Sequence, residues 1–187
     1  MKNQASGTPW LGGFGTLWMT AWCLQAHGID PPTLALILFA GGTITLWGFA
    51  SRPGVQPGGS RQKPSASGRV FRHVNLAQWV AIVIANLALN ASGHGAWFVD
   101  AVILIVGLHF LPLAHVFRSP RHAVTGLALI LVALAYPWLG AHRPGYPAGA
   151  FAAGAILWAS ALAGLLRDSR ALDAKVANMA NAPDAAP

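Results

Sequence analysis

A histidine in the middle of a long apolar run is the first residue of this 187-residue chain that invites chemistry. His109 has Pro112 one turn further on, His115 near the end of the run and Asp100 near its start. An imidazole held in hydrocarbon either hydrogen-bonds as a neutral core group, relays a proton or binds a ligand. Pro112 has no N–H for the carbonyl of Leu108, which leaves an acceptor or a hinge beside His109. Asp100 and His109 are about half a helical revolution apart at roughly 100° per residue, so they cannot pair on one face. Asp100 is most simply an interfacial residue facing a loop. A second polar set precedes this one: Asn75, Gln78, Asn86 and Asn90 fall within about 120° of arc on one helix. Such a stripe must face protein or water, because unsatisfied amides are costly in hydrocarbon. It either fastens helices together or lines a solute path. His109, Asn86, Asn90, Gln78 and Asp100 are therefore the candidate polar interior.

Other chemistries find less material. His27, His94 and His142 fall in three separate loops on one side, and three imidazoles are enough for a zinc or copper ion, although no local metal motif joins them. His73, His115 and His122 on the opposite side form a similar but weaker set. A haem held between facing helices is disfavoured, since His109 and His115 point about 120° apart and no second mid-span histidine exists to complete the pair. There is no C-x-x-C-H, H-E-x-x-H or P-loop. Five acidic residues, all aspartate, offer no carboxylate pair for acid–base catalysis. Nothing in the sequence names a cofactor. Cys23 is the single cysteine and can form no internal disulfide.

What positions these residues follows from composition. Hydrophobic residues make up 55% and charged residues 9%, against about 25% charged in a soluble domain. The chain reads as an all-α membrane protein, a bundle of about six transmembrane helices in contact with the lipid bilayer. Spans of roughly 17 to 25 apolar residues are expected at Pro9–Gln25, Pro31–Ala50, Val74–Ala91, Trp97–Phe117, Pro120–Leu139 and Ala148–Leu166. The first is diluted by Gly12, Gly13, Gly15, Thr16 and Thr20. With Lys2 ahead of it, the stretch superficially resembles a signal peptide, but Leu24 spoils a cut after Ala26 and the segment is expected to stay as a helix. Asp30 before Pro31 and Ser119 before Pro120 mark helix starts by a capping residue followed by a first-turn proline.

Of twelve Lys and Arg, only Arg143 falls on the far side of this topology, so both termini are expected in the cytoplasm. The net charge of +7 is thus an orientation signal, and no nucleic acid is expected. Residues 1–50 form the first hairpin and 51–73 a flexible, basic cytoplasmic loop suited to anionic lipid headgroups. A four-helix transmembrane region occupies 74–166. Residues 167–187 form a cytoplasmic tail that extends the last helix by a few turns and then becomes disordered. Trp10, Trp47, Trp97 and Trp138 sit near span ends, as an aromatic belt requires, whereas Trp18 and Trp158 lie deeper and read as packing residues. Gly41, Gly42, Gly107, Gly126, Gly149, Ala153, Gly154 and Ala161 permit close helix contact.

The run Gly107-Leu-His-Phe-Leu-Pro-Leu-Ala114, followed by Phe117, Arg118, Pro120 and Thr125-Gly126, resembles an uncharacterised family of small bacterial multi-pass inner-membrane proteins. The resemblance covers roughly Val99 to Ala135, with a weaker echo in the first span, and implies location and topology without an activity. Members commonly have Lys or Arg at the position of His115, which suits an interface anchor better than a ligand. The functional expectation is small-solute transport or sensing through a polar interior. The alternatives are a structural or accessory protein whose polar groups only fasten helices, and a metal-binding protein using the loop histidines.

Overall fold

Runs of apolar, helix-competent residues broken by Gly, Pro and Ser should give helices whose polar backbone is satisfied internally, the condition for crossing a bilayer. A computed structural model describes residues 8–51, 66–139 and 146–180, and these form six α-helices with no strand. They are α1 Thr8–His27, α2 Pro31–Ala50, α3 Ala66–Ala91, α4 Phe98–Phe117, α5 Pro120–Leu139 and α6 Ala148–Ala180, with a 3-10 turn at Gly95–Trp97 leading into α4. All but α1 are long and apolar enough to cross a membrane. The protein is a multi-pass, all-helical membrane protein.

The proline-marked starts are where the sequence puts them, but the capping differs in detail. Asp30 is extended (φ −105°, ψ 99°) and its carbonyl accepts from the N–H of Leu34 at 3.0 Å, yet its carboxylate makes no cap bond. The second helical residue is Pro32, so one of the two backbone donors a cap side chain normally reaches is missing. At α5 the Ser119 hydroxyl pairs instead with His122 Nδ1 at 2.8 Å. Two helices end in the same 6→1 closure: His94 N–H to Leu89 O at 2.8 Å around Gly93, and Ser119 N–H to Ala114 O at 3.0 Å around Arg118. Gly93 takes φ +76° without penalty; Arg118 is forced to φ 47° despite its side chain.

Two helices run further than hydropathy indicates. Residues 66–73, expected as loop, are the first turns of α3, and α6 continues to Ala180. Arg69, Arg72, Arg167 and Arg170 lower the hydropathy of these turns without harming their helix propensity. The remainder of the expected basic loop, 52–65, and the tail 181–187 lie outside the described residues.

Packing is inverted relative to a soluble protein. Leu17, Phe39, Leu131 and Trp138 are all more than 60% exposed, while the closest approaches between helices fall at glycines. Gly107 and Gly126 face each other across α4 and α5, and a Cβ on Gly126 would come within 2.8 Å of the Gly107 carbonyl. Gly15 and Gly154 do the same for α1 and α6, where a Cβ on Gly154 would meet the Gly15 carbonyl at 3.1 Å. With lipid outside as apolar as the interior, helices associate through such close contact. This accounts for the low hydropathy of α1: Gly12, Gly15, Met19 and Cys23 form a buried stripe against α2 and α6, and Trp10, Leu17 and Leu24 face outward. Gly13 and Gly42 are exceptions among the helical glycines, with open space where a Cβ would stand.

Helix α6 is central, in contact with α1, α2, α4 and α5. The buried cluster Leu11, Ile44, Ile103, Phe110, Leu129 and Leu157 joins these five helices. Helix α3 stands apart and packs, among the described residues, only on α4 and the 3-10 turn. Trp10, Trp47, Trp97 and Trp138 are exposed near helix ends, and Trp158 is a packing residue whose Nε1 approaches the Thr16 hydroxyl at 3.4 Å.

Candidate functional site

Polar groups gather at four places, and the expected interior is divided among them. The first is the seam between α3 and α4. His109 is half-buried there, with Nδ1 3.3 Å from the carbonyl of Val74 and its ring edge-on to Phe110, centroids 5.9 Å apart. A carbonyl can only accept, so a hydrogen bond here places a proton on Nδ1. Phe110 also meets the His122 ring at 6.0 Å, which stacks in turn towards Phe117 and Phe71. Asn75 and Gln78 are half-buried on the same side of α3.

Asn86 and Asn90 sit elsewhere. Both are exposed, and Asn90 Nδ2 donates to the backbone carbonyl of Asn86 at 2.7 Å and to its side-chain Oδ1 at 2.9 Å. The stripe seen in the sequence is real as an arc, but it straddles the edge of the α3–α4 contact: one half faces α4 and the other faces out of the bundle.

The third place is the end of the bundle near the 3-10 turn. Asp100 is 5% exposed, within α4's contact with its neighbours and within electrostatic reach of Tyr136 on α5. The Tyr136 hydroxyl donates to the carbonyl of Tyr146, and its ring lies on Gly149 at the start of α6. Asp100 is therefore buried near the end of its span, on the face of α4 that carries Ile103 and Gly107 towards the bundle. It is half a revolution from His109, and the two belong to different contacts.

The fourth place was hidden in the charge count. Arg121, in the first turn of α5, directs Nη1 to the Thr8 hydroxyl at 3.4 Å and to the Ser160 carbonyl at 3.5 Å, and its guanidinium covers Gly164. Asp168, one turn along α6, adds an attractive charge. Beneath it the buried Thr125 hydroxyl donates to the Ser160 hydroxyl at 2.8 Å and approaches the Arg121 carbonyl at 2.9 Å. One cation thus ties the start of α1, the start of α5 and the middle of α6. Only the missing side chain of Gly164 makes room for it, which sequence spacing cannot reveal.

Of the loop histidines, His27 stacks edge-on to Trp22 at 5.4 Å and His94 Nδ1 pairs with the Ser92 hydroxyl at 3.3 Å. His142 lies outside the described residues. Among the described residues no three His, Cys, Asp or Glu side chains gather as a metal site.

These groups do chemistry mainly on each other: backbone carbonyls, hydroxyls and amides of one helix meet those of the next. Gly107, Phe110 and Gly126 of the quoted motif form the α4–α5 contact itself, and Thr125 bonds across to Ser160 on α6. The chain matches no family model, no curated protein and no solved structure.

Proposed function

We propose that this chain is an accessory protein of a bacterial inner membrane that works by lateral contact within the bilayer. The observation that supports this reading is α3: among the described residues it packs only on α4 and the 3-10 turn, and it leaves the Asn86–Asn90 pair exposed, while polar groups of α1, α5 and α6 are engaged with one another. Cytoplasmic termini are part of the proposal. It is supported by Arg69, Arg72, Arg118, Arg121, Arg167 and Arg170 lying at one end of antiparallel helices, an end also marked by the Thr8–Arg121 and Phe71–Phe117 contacts. The basic residues at this end, with those the sequence carries in 51–73, suit anionic headgroups. The family of small bacterial membrane proteins resembled through Gly107–Ala114 fits this placement.

A photo-crosslinking residue at Val83, on the outward face of α3, tests the reading in native membranes. A protein adduct at Val83 that is absent when the probe stands at Leu131 on α5 is the expected result. Adducts to lipid alone would refute lateral assembly.

Solute transport or sensing is the second reading, favoured by the buried carboxyl of Asp100 beside Tyr136. Buried ionisable groups within spans mark proton and ion paths. It requires that Asp100→Asn abolish a solute or proton flux in proteoliposomes, with the bundle still folded.

A further inference from the structure

Charge at the basic end of the bundle is not spread evenly. On α6, Arg167 is followed directly by Asp168 and Arg170 by Asp173 three residues on, and Arg121 is drawn to Asp168. The corner of α3 and α4 is different. Arg69 and Arg72 lie in the first turns of α3 and Arg118 directly follows α4, all three exposed. Helix α3 contains no acid, and the single acid of α4, Asp100, is at its opposite end. His73 and His115 nearby add no negative charge. The Phe71 and Phe117 rings meet here at 6.4 Å and tie the two helices together. Each of the three arginines is within two residues of one of these rings, so three guanidiniums share one corner where the apolar spans end.

Arg118 gives a second, independent signal. It closes α4 in the left-handed region, at φ 47°, through the same backbone closure that Gly93 provides for α3. Glycine takes that conformation freely and arginine does not. The closing bonds run from Ser119 N–H to Ala114 O and from Arg118 N–H to His115 O, so the cap itself calls for no side chain. Backbone strain of this kind is concentrated where a side chain serves a ligand.

We infer that this corner binds the headgroup of an anionic phospholipid, with its phosphate held by Arg72 and Arg118 and Arg69 adding to the attraction. A guanidinium matches phosphate oxygens with paired N–H donors, and its stem lies along apolar surface while its head reaches the headgroups. The exposed ring of Phe71 offers apolar surface to an acyl chain, which a free phosphate cannot use. The inference rests on the accessory reading for its leaflet, the cytoplasmic one, and not on lateral contact, which the Val83 probe decides separately.

The test is a thermal melt of the full chain in mild detergent, with dioleoyl phosphatidylglycerol added or, as its zwitterionic match, dioleoyl phosphatidylcholine. A ligand of the folded state raises the melting temperature with its concentration. Phosphatidylglycerol should stabilise the parent well beyond phosphatidylcholine. Arg118→Gly should need about fivefold more phosphatidylglycerol for the same rise, the worth of one basic residue at an anionic surface, although without lipid it melts no lower than the parent. Arg72→Gln should show the same fivefold weakening. Arg167→Gln, which removes an equal charge beside Asp168, should match the parent. Equal weakening in Arg167→Gln means diffuse attraction by net charge and overturns the site. Unchanged dependence in Arg118→Gly or Arg72→Gln, or an equal rise from phosphatidylcholine, overturns it as well. If inorganic phosphate at the same concentration reproduces the rise, the site takes a soluble anion and the lipid assignment falls. Detergent has no sidedness, so any of these failures leaves topology and lateral assembly standing. Conversely, labelling of Arg118→Cys by a membrane-impermeant maleimide from the outer face of intact cells ends the cytoplasmic placement while the site persists.

Discussion

Replacing Gly126 by Ala should loosen the α4–α5 contact, and its size can be worked from the approach of the two backbones. The added Cβ would stand 2.8 Å from the Gly107 carbonyl oxygen and 2.9 Å from Phe110 Cβ. Ordinary carbon contact begins at about 3.5 Å, so the helices must part by roughly 0.6 Å or more there. One neighbour is backbone and cannot rotate away. A gap of about 0.5–1 Å forfeits a quarter to a half of each dispersion contact it opens, and overpacking of this kind costs about 1–3 kcal/mol. Alanine returns up to about 1 kcal/mol of helix propensity, for a net loss of about 0–2 kcal/mol and a deficit of about 1–3 kcal/mol against an alanine that meets no neighbour. Gly42→Ala on α2 is the internal control, because nothing stands within 4 Å of its Cβ. It keeps the propensity gain and should be neutral or stabilising. Thermal unfolding in mild detergent, followed by circular dichroism with both variants side by side, reads the difference. If Gly126→Ala is as stable as Gly42→Ala, close backbone approach is not what joins α4 to α5.

Three further outcomes follow from the same geometry. Arg118→Gly should raise stability by about 0.5–1 kcal/mol, since a left-handed non-glycine residue costs roughly 1–2 kcal/mol and glycine gives part of that back as chain entropy; an unchanged melting temperature would show that Arg118 bears no strain. Thr125→Val keeps the shape but removes the donor to Ser160, and unfolding measurements should show a loss of about 0.6–1.7 kcal/mol; a loss below this range means that the Ser160 hydroxyl re-pairs readily. His109→Leu should increase amide exchange in α3 while α1 and α6 stay protected, because it removes a side-chain bond that holds α3 to α4. Equal loss of protection in all helices would place His109 in the common core instead.

What the sequence determined by itself was everything governed by contact with lipid or by local backbone chemistry. Hydropathy marks five of the spans, Pro31 and Pro120 mark two starts, and the positions of Trp10, Trp47 and Trp138 follow from the amphipathic character of the ring at an interface. Even the glycines of α4, α5 and α6 announce close contact. Helix length was legible only in part, because hydropathy measures transfer into hydrocarbon and not helix formation, so the charged first turns of α3 look like loop. Facing was not legible at all. An arc of Asn and Gln on one helix is the same arc whether its neighbour covers it or not, and the placement of α3 at the margin of the bundle left Asn86 and Asn90 outside. That Asp100 is buried, near Tyr136, is likewise a matter of how α4 is turned against its neighbours. Arg121 needed three helices and the bare backbone of Gly164 to become a junction, a coincidence of distant residues that only the packed structure decides.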